Sequence, residues 1–414
     1  MKQQFPKLRA LDLRPYTHRG QSYLLLRDPQ QVAPQPLLVP QPLTQVLACC
    51  DGTHSPAHLK AMLRETLGAV AAHHHVDELL HMLDEALMLE NDRYRAAHQE
   101  TLHAYRAAPS RQPSLAGLSY PKDATQLWQL LQNYLEDAEA VAPMAVNWSR
   151  PLGMLSPHID YQRGGAVYAK IWKRMAQAAA EAELVILFGT DHYGSDLFTL
   201  TRQSYATPYG ILPTDQALVA ALAEVIGEEA AFAGELRHRG EHSLELVAVW
   251  LHHMRAGTPC TVVPILCGGF HRFLYNGQHP QHNPTLQRLL TTIEQQTAGR
   301  RVLVVASGDL AHVGPAFGGQ ALDSQGRMAL RRADDALIAA MSDGDVDQFY
   351  GAIRQVRDAN NVCGVAPIYL TMRAMNATRG EAVGYATCPA DDFDTSVVTI
   401  GGMVFCNDGE PPEN

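Results

Sequence analysis

The stretch LVILFGTDH, residues 184–192, decides the fold of most of this chain. Its first five residues are apolar without alternation, which is the pattern of a strand covered on both faces in a parallel sheet. The run ends in the polar cluster GTDH (189–192). In an open α/β sheet, ligands bind beside the carboxyl ends of the strands. The stretch therefore predicts a buried parallel strand that delivers Asp191 and His192 to a ligand site.

Three further apolar runs also end in a polar cluster, namely SPHID (156–160), CGGFH (267–271) and SGDLAH (307–312). From about residue 115, strand-like runs alternate with amphipathic helical segments, which is typical of a mainly parallel sheet with helices on both faces. Two strand-like runs near the end, 382–387 and 396–405, favour an antiparallel addition. We therefore expect an α/β domain whose polar clusters converge at one edge of the sheet.

The first 95 residues have a different pattern. A few short extended runs, an Asp-Gly turn at 51–52 and amphipathic helical segments favour a small α+β unit of the winged-helix type. Residues 96–114 are interpreted as a linker with a helical beginning, 115–406 as the α/β domain, and 407–414 as a C-terminal tail. A length of 414 residues fits two domains.

Composition and motifs exclude several classes of protein. A net charge of −10 and the lack of a Lys/Arg run argue against a nucleic-acid surface. No apolar stretch approaches the ~18 residues of a membrane span, and residues 1–6 do not begin a signal sequence. We therefore expect a cytoplasmic protein without a membrane partner. The seven cysteines form no C-x-x-C pair, and there is no H-E-x-x-H, P-loop or G-x-S-x-G motif. The histidine tracts 73–75, 252–253 and 279–282 are predicted to be solvated.

Two histidines that follow neighbouring strands are candidates for one metal ion. His158 and His192 each lie just past a strand, and a helical segment separates the two strands. Such β-α-β neighbours bring their carboxyl ends together, so the two imidazoles could share an ion. A single histidine in a polar cluster is more often part of a structural hydrogen bond, and that alternative stays open for each residue taken alone.

Cys363 begins an apolar helical stretch. A helix N-terminus lowers the pKa of a thiol, which predicts a thiolate that completes a ligand set or acts as a redox group. A small residue selected for packing at a helix start explains the sequence equally well.

Asp309 and His312 lie three positions apart after a strand. The carboxylate could orient the imidazole and leave His312 as a general acid/base, or Asp309 could cap a helix beside an incidental histidine. Glu241 and His242 precede a helix and are predicted to line the wall of the pocket. Glu245 could be the partner in a capping box at the start of that helix.

Seven short motifs occur in the order seen in the MEMO family, whose bacterial members are called AmmeMemoRadiSam system protein B. They are AGLSYP (116–121), PHIDY (157–161), GTDH (189–192), EHSLE (241–245), SGDLAH (307–312), CGVAP (363–367) and DTSVV (394–398). The chain resembles this family over about residues 113–406. Residues 1–95 resemble the PqqD-like winged-helix extension that often precedes the domain in bacterial members.

The resemblance implies the fold of class III extradiol dioxygenases of the LigB type, with a cysteine in place of the carboxylate ligand. It implies a divalent metal ion held by His158, His192 and Cys363, with Fe(II) favoured and Cu or Zn as alternatives. Asp309 and His312 would line the same pocket as catalytic residues. Where the family has PHAGY and GPSHH, this chain has PHIDY and GTDHY, so two further carboxylates, Asp160 and Asp191, are expected at the pocket.

The first functional hypothesis is a metal-dependent, dioxygenase-like redox enzyme, or a component of a modification system that includes an AMMECR-type protein and a radical SAM enzyme. A second hypothesis is a peptide- or partner-binding scaffold with a vestigial pocket, in which residues 1–95 recruit the peptide. A third is a zinc-dependent hydrolase with His312 as the base.

Overall fold

The computed structural model describes residues 5–138, 141–275 and 277–407. The chain divides into two compact units, Met1–Ala108 and Pro109–Asn414. Of the tail expected at 407–414, all but the first residue lies outside the described residues.

The first unit combines an antiparallel sheet with helices. Its strands pair in the order β1-β2-β3, and buried leucines and valines from the sheet and the helices form one core. The elements are β1 (Asp12–His18), β2 (Gln21–Arg27), β3 (Leu37–Pro40), a 3₁₀ turn (Gln41–Leu43), α1 (Thr44–Ala48), α2 (Pro56–Leu67), α3 (Ala69–Glu85) and α4 (Asp92–Ala107). Helix α4 occupies most of the segment interpreted above as a linker, 96–114, and the unit ends just after it.

The described residues of the second unit form strands and helices that are mixed along the chain. The strands are β4 (Leu152–Ser156), β5 (Leu184–Thr190), β6 (Phe198–Leu200), β7 (Tyr205–Thr207), β8 (Gly210–Leu212), β9 (Thr261–Cys267), β10 (Val302–Ser307), β11 (His312–Val313), β12 (Arg379–Pro389) and β13 (Val397–Cys406). The helices are α5 (Ala124–Asp137), α6 (Tyr161–Arg174), α7 (Ala176–Glu181), α8 (Gln216–Ile226), α9 (Glu228–Phe232), α10 (His242–Met254), α11 (His271–Tyr275), α12 (Pro284–Thr297), α13 (Ser324–Ser342), α14 (Val346–Gln355) and α15 (Val365–Ala374). Three 3₁₀ turns complete the unit, Glu235–Arg239, Pro280–His282 and Pro315–Phe317.

The main sheet has the order β11-β13-β4-β10-β5-β9-β6, and β12 pairs with β13. The four central strands β4, β10, β5 and β9 are parallel. Strands β6, β11, β12 and β13 are antiparallel to their neighbours. The predicted α/β class and the mainly parallel sheet are confirmed, as is the antiparallel pairing of the two last strands.

Strand β5 shows why the sheet needs helices on both faces. Leu184, Ile186 and Phe188 point into one core with residues of α8, α12 and α15. Val185 and Leu187 point into the other core with residues of α6 and α10. All five side chains are fully buried, and burying a side chain of this kind stabilises a fold by roughly 1.5–3 kcal/mol. An apolar run without alternation is therefore what this position requires.

One expectation about the histidine tracts is wrong. His252 and His253 are buried on α10, and their ring nitrogens bond to Thr207 and Tyr209. They were expected to be solvated because a short histidine tract, judged by composition alone, more often faces water than holds a metal. Here the β7–β8 hairpin supplies hydrogen-bonding partners that cover them.

The sequence was predicted to lack a membrane-spanning stretch, and the helices can be compared with that prediction. Within the described residues, no helix combines the length and the apolar character that crossing a bilayer requires.

Candidate metal centre

The pocket lies where three parallel strands end. Strand β4 is followed by His158, β5 by His192 and β10 by the loop 308–311. The strands before His158 and His192 were predicted to be neighbours, but β10 lies between β4 and β5. The three loops still lie side by side at one edge of the sheet. The imidazole centroids of His158 and His192 are 5.1 Å apart. The sheet therefore brings the two predicted histidines together.

Cys363 reaches the same pocket from the segment that precedes α15. Its Sγ lies 3.2 Å from His158 Nε2. One candidate ligand atom from each of His158, His192 and Cys363 lies within 4.8 Å of the other two. The three residues named as ligands by the resemblance are thus gathered at one point, although they come from distant parts of the chain.

The position of Cys363 depends on a close backbone contact. A Cβ on Gly308 would lie 2.5 Å from the Cα of Gly364, so a side chain at Gly308 would push the two segments apart. The Gly364 N–H donates to the Asp309 carbonyl at 2.9 Å, and the Thr190 hydroxyl donates to the Cys363 carbonyl at 3.1 Å. These bonds tie the cysteine segment to the loops after β10 and β5.

His158 is a neutral imidazole whose Nε2 faces the cysteine. Its Nδ1 lies 3.4 Å from Ser307 Oγ, and the Ser307 hydroxyl donates to the Ser243 carbonyl at 2.6 Å. Because that hydroxyl proton is already used, Ser307 Oγ accepts from Nδ1–H, which leaves the lone pair on Nε2. Burial, with the neighbouring His192 and His242, holds the pKa of His158 well below its ordinary value.

Glu241 orients His192. The His192 Nδ1 bonds to Glu241 Oε1 at 2.9 Å, so its Nε2 is the nitrogen left for a ligand. Glu241 is buried and also accepts from the backbone N–H groups of His192 and Ser243. His242 Nδ1 lies 3.2 Å from the same oxygen, and its ring stacks on His192 with centroids 4.5 Å apart. Glu241 and His242 were predicted to line the wall, but Glu241 contacts a ligand residue directly.

His192 and Glu241 each stabilise the charged form of the other. Burial alone would lower the pKa of His192, but the Glu241 carboxylate and Cys363 raise it well above its ordinary value. Burial alone would raise the pKa of Glu241, but His192 and His242 hold it well below its ordinary value. Glu241 is therefore a carboxylate at neutral pH.

Asp309 and His312 both lie in the pocket, but they do not act on each other as expected. The Asp309 carboxylate accepts the backbone N–H groups of His158 at 2.8 Å and Ile159 at 3.3 Å. Burial raises the pKa of Asp309 to about 6. His312 Nδ1 lies 3.3 Å from the Leu310 carbonyl, and burial lowers the pKa of His312 to about 4. Asp309 thus shapes the loop that carries His158.

The expected effect of a helix N-terminus on Cys363 is wrong. Helix α15 begins at Val365 and its cap is Gly364, so Cys363 lies just outside the helix. Burial raises the pKa of the Cys363 thiol, and a nearby imidazole offsets the shift only in part. A thiolate at this position therefore needs a bound cation.

The two additional carboxylates are used for structure. Asp160 caps α6 by accepting from the Arg163 N–H, and its other oxygen pairs with the Arg163 guanidinium. Asp191 pairs with Arg237 at 2.8 Å and accepts the Gly194 N–H at 2.8 Å. Asp191 therefore stabilises the loop that carries His192, and Asp160 is directed away from the candidate ligands.

A buried ion pair near the pocket was not foreseen. Arg111 and Glu245 are 134 positions apart in the sequence and bond side by side with almost no exposure. Glu245 also accepts from Ser114, Leu115 and Tyr120, so it is not a capping-box residue. Arg111 donates to the carbonyls of His238 and Glu241. A charged residue inside the apolar run 244–251 is the sequence signal that could have revealed this pair.

The fold and the pocket define an α/β protein with a group of imidazole and thiol ligands at the carboxyl edge of its sheet. The chain belongs to a family described as "Memo-like protein", whose family model matches residues 111–404. A "MEMO1 family protein" of Aquifex aeolicus is 25% identical over 314 residues, covering 76% of this chain and 77% of that protein. One of Archaeoglobus fulgidus is 28% identical over 298 residues, covering 71% and 99%. The resemblance of the second unit to this family is confirmed.

The donor set fits a divalent metal ion. The 3.2 Å between His158 Nε2 and Cys363 Sγ is close to the ~3.6 Å expected between a nitrogen and a sulfur ligand of tetrahedral zinc. Two imidazoles and a sulfur suit metals of intermediate softness, including iron, copper and zinc. The bond from His192 to Glu241 is the second contact that metal-bound histidines usually make.

Replacing Arg111 by Met should destabilise the second unit by about 3–5 kcal/mol, because it leaves the Glu245 carboxylate buried without its counter-ion. All four tryptophans lie in this unit, so urea unfolding followed by tryptophan fluorescence measures the loss. The control is Arg301→Met, which breaks an exposed pair with Glu183 and should cost about 1 kcal/mol or less. An equal loss of unfolding free energy in the two variants would show that the buried pair stabilises the unit no more than the exposed pair does.

Proposed function

We propose that this protein is a metal-dependent redox enzyme whose divalent ion is held by His158, His192 and Cys363. The observation that carries the proposal is the meeting of these three donors within 4.8 Å. Fe(II) is favoured, because the family resembles the extradiol dioxygenases in fold, and Cu or Zn are alternatives. When bound, the metal would supply electron-transfer chemistry that protein side chains lack.

The chain's own residues prepare the ligands before any ion arrives. The bonds from His158 to Ser307 and from His192 to Glu241 direct both Nε2 atoms toward Cys363. Such orientation avoids the cost of reordering the side chains when the ion binds. The Glu241 carboxylate also balances part of the charge of a divalent ion.

His312 is the proposed site of proton transfer. Its Nδ1 is next to the Leu310 carbonyl, so Nδ1 carries the hydrogen and Nε2 can accept a proton. One of its ring nitrogens lies within 4.8 Å of Cys363 Sγ and of an Asp309 oxygen. This places a base beside the ligands without making it one of the three.

A bound molecule can reach the ligands through an open cavity of about 330 Å³ whose lining includes His192 and Cys363. Its volume is in the range of pockets that take small molecules. The second unit thus provides both the ligands and a place for a substrate beside them.

The partners remain proposals that rest on the resemblance. They are an AMMECR-type protein, a radical SAM enzyme, and a peptide recruited by a winged-helix-like first unit. A zinc-dependent hydrolase would use the same ligands, and the identity of the bound metal distinguishes it from the redox enzyme.

The replacement of both histidines, His158→Ala/His192→Ala, should abolish metal binding, and Cys363→Ala should reduce it. Protein purified without oxygen should contain close to one ion per chain, as measured by mass spectrometry of Fe, Cu and Zn. The matched control is His73→Ala/His74→Ala, which removes two exposed histidines of α3 and should leave the metal content unchanged. Equal, near-zero metal in the wild type and the His158/His192 variant would overturn the proposal. Zinc as the only ion retained would favour the hydrolase.

Replacing Glu241 by Gln should weaken metal binding about 10–100-fold, because His192 loses its carboxylate partner. The amide oxygen can still accept the Ser243 N–H that starts α10, so the fold should be kept. Competition with a chelator measures the affinity. Glu224→Gln, a change at an exposed position of α8, is the control. An affinity unchanged by Glu241→Gln would show that the carboxylate does not support the ligand.

A further inference from the structure

The cavity beside the candidate ligands has walls from three loops of the second unit. One wall is the loop after β5, with Tyr193 and Ser195, and a second is the loop after β9, with Phe270 and His271. The third is the segment 358–363, which leads into α15. His192 and Cys363 therefore line part of a larger recess whose remaining walls belong to no ligand residue.

Close packing of backbone defines this recess. A Cβ on Gly268 would lie 2.7 Å from the Gly194 carbonyl oxygen, and one on Gly269 would lie 2.4 Å from the Ser195 carbonyl oxygen. Gly269 also has a φ of +65°, which favours glycine. Because these contacts leave no space for side chains, the loops after β5 and β9 are held against each other and the recess keeps its shape.

Carboxylates form part of the lining of the recess. Among the described residues that line it, there is no lysine or arginine, whereas two are aspartates. Asp191 is neutralised by Arg237 and by backbone N–H groups. Asp358 uses Oδ1 to accept the Val362 N–H at 2.8 Å, and its Oδ2 accepts no hydrogen bond from the described residues. Asp358, a residue of the lining, therefore keeps one carboxylate oxygen without a donor from the described residues.

The surroundings of Asp358 do not supply a counter-charge. The carboxyl is partly buried, and burial raises its pKa, an effect that the imidazole of His271 only partly opposes. A half-buried carboxylate without a cation gains a charge-assisted hydrogen bond from a ligand that brings a positive charge. The aromatic rings of Tyr193 and Phe270 also line the recess, and aromatic faces attract cations.

We propose that this recess is the substrate site and that it selects a small molecule, or a side chain, with a cationic nitrogen. The primary amine or guanidinium would bond to Asp358 Oδ2, and the reacting end would face His192 and Cys363. This assignment rests on the proposed function, since it takes those two residues as the reacting end of the recess. A carboxylate or a phosphate would gain no bond from Asp358 and would be repelled by its charge.

The test measures how tightly butylamine and butylguanidine bind to the full-length protein. Butyrate, an anion of similar size, is the comparison. Ligand-observed NMR titration gives the affinity of each compound. Both cations should bind the wild type at least about tenfold more tightly than butyrate. Asp358→Asn should abolish this preference, since the amide keeps an acceptor for the Val362 N–H but loses the charge. Asp335→Asn removes the same charge from an exposed position of α13 and should change nothing.

A second variant tests the site separately, in case Asp358→Asn fails to fold. Ser195→Trp should fill the mouth of the recess and weaken binding of both cations without touching Asp358. Equal binding of butyrate and butylamine, cation binding that Asp358→Asn leaves unchanged, or no binding of either cation would overturn the assignment. The titration is repeated on the His158→Ala/His192→Ala variant. Cation binding kept there, together with a wild type free of metal, would sink the redox proposal and leave this site standing.

Discussion

The contact between Gly308 and Gly364 is the constraint on which the pocket depends. It allows the loop after β10 to touch the segment before α15, and only then can Cys363 Sγ come within 3.2 Å of His158 Nε2. The sheet alone would bring two histidines together, because β4 and β5 flank β10. The third donor, the Cys363 thiol, is positioned by this backbone contact, because Cys363 does not follow a strand of the sheet.

Buried carboxylates hold the remaining parts in place by accepting hydrogen bonds or by pairing with a cation. Asp309 accepts two backbone N–H groups at the start of the His158 loop, and Glu241 accepts from His192 and from the start of α10. Glu245 is paired with Arg111. A buried charge is tolerated only when such bonds replace its hydration. Asp358 is half-buried, its second oxygen has no donor among the described residues, and it lies in the recess where a ligand would bind.

The family relationship covers the second unit, residues 111–404, and it agrees with the physical reading of the pocket. Asp160 and Asp191 stand within motifs of the resemblance and were expected at the pocket. In the structure both carboxylates pair with arginines, Asp160 with Arg163 and Asp191 with Arg237. The two carboxylates therefore stiffen the loops that carry the candidate ligands His158 and His192, and they do not indicate which metal would bind.

The amino-acid sequence by itself determined the α/β class, the strand that ends at His192 and the convergence of polar clusters at one edge. These three features can be predicted from the pattern of apolar and polar residues, because each pattern lies within one short segment of the chain. Cys363 was a candidate from its place at the start of an apolar helical stretch, where packing explained the residue equally well, and the resemblance then named it as a ligand. The role of Glu241, the support that Asp309 gives to His158, and the Arg111–Glu245 pair were decided only by the tertiary structure. Each joins segments tens to more than a hundred residues apart, and local patterns do not encode which distant groups will satisfy a buried charge.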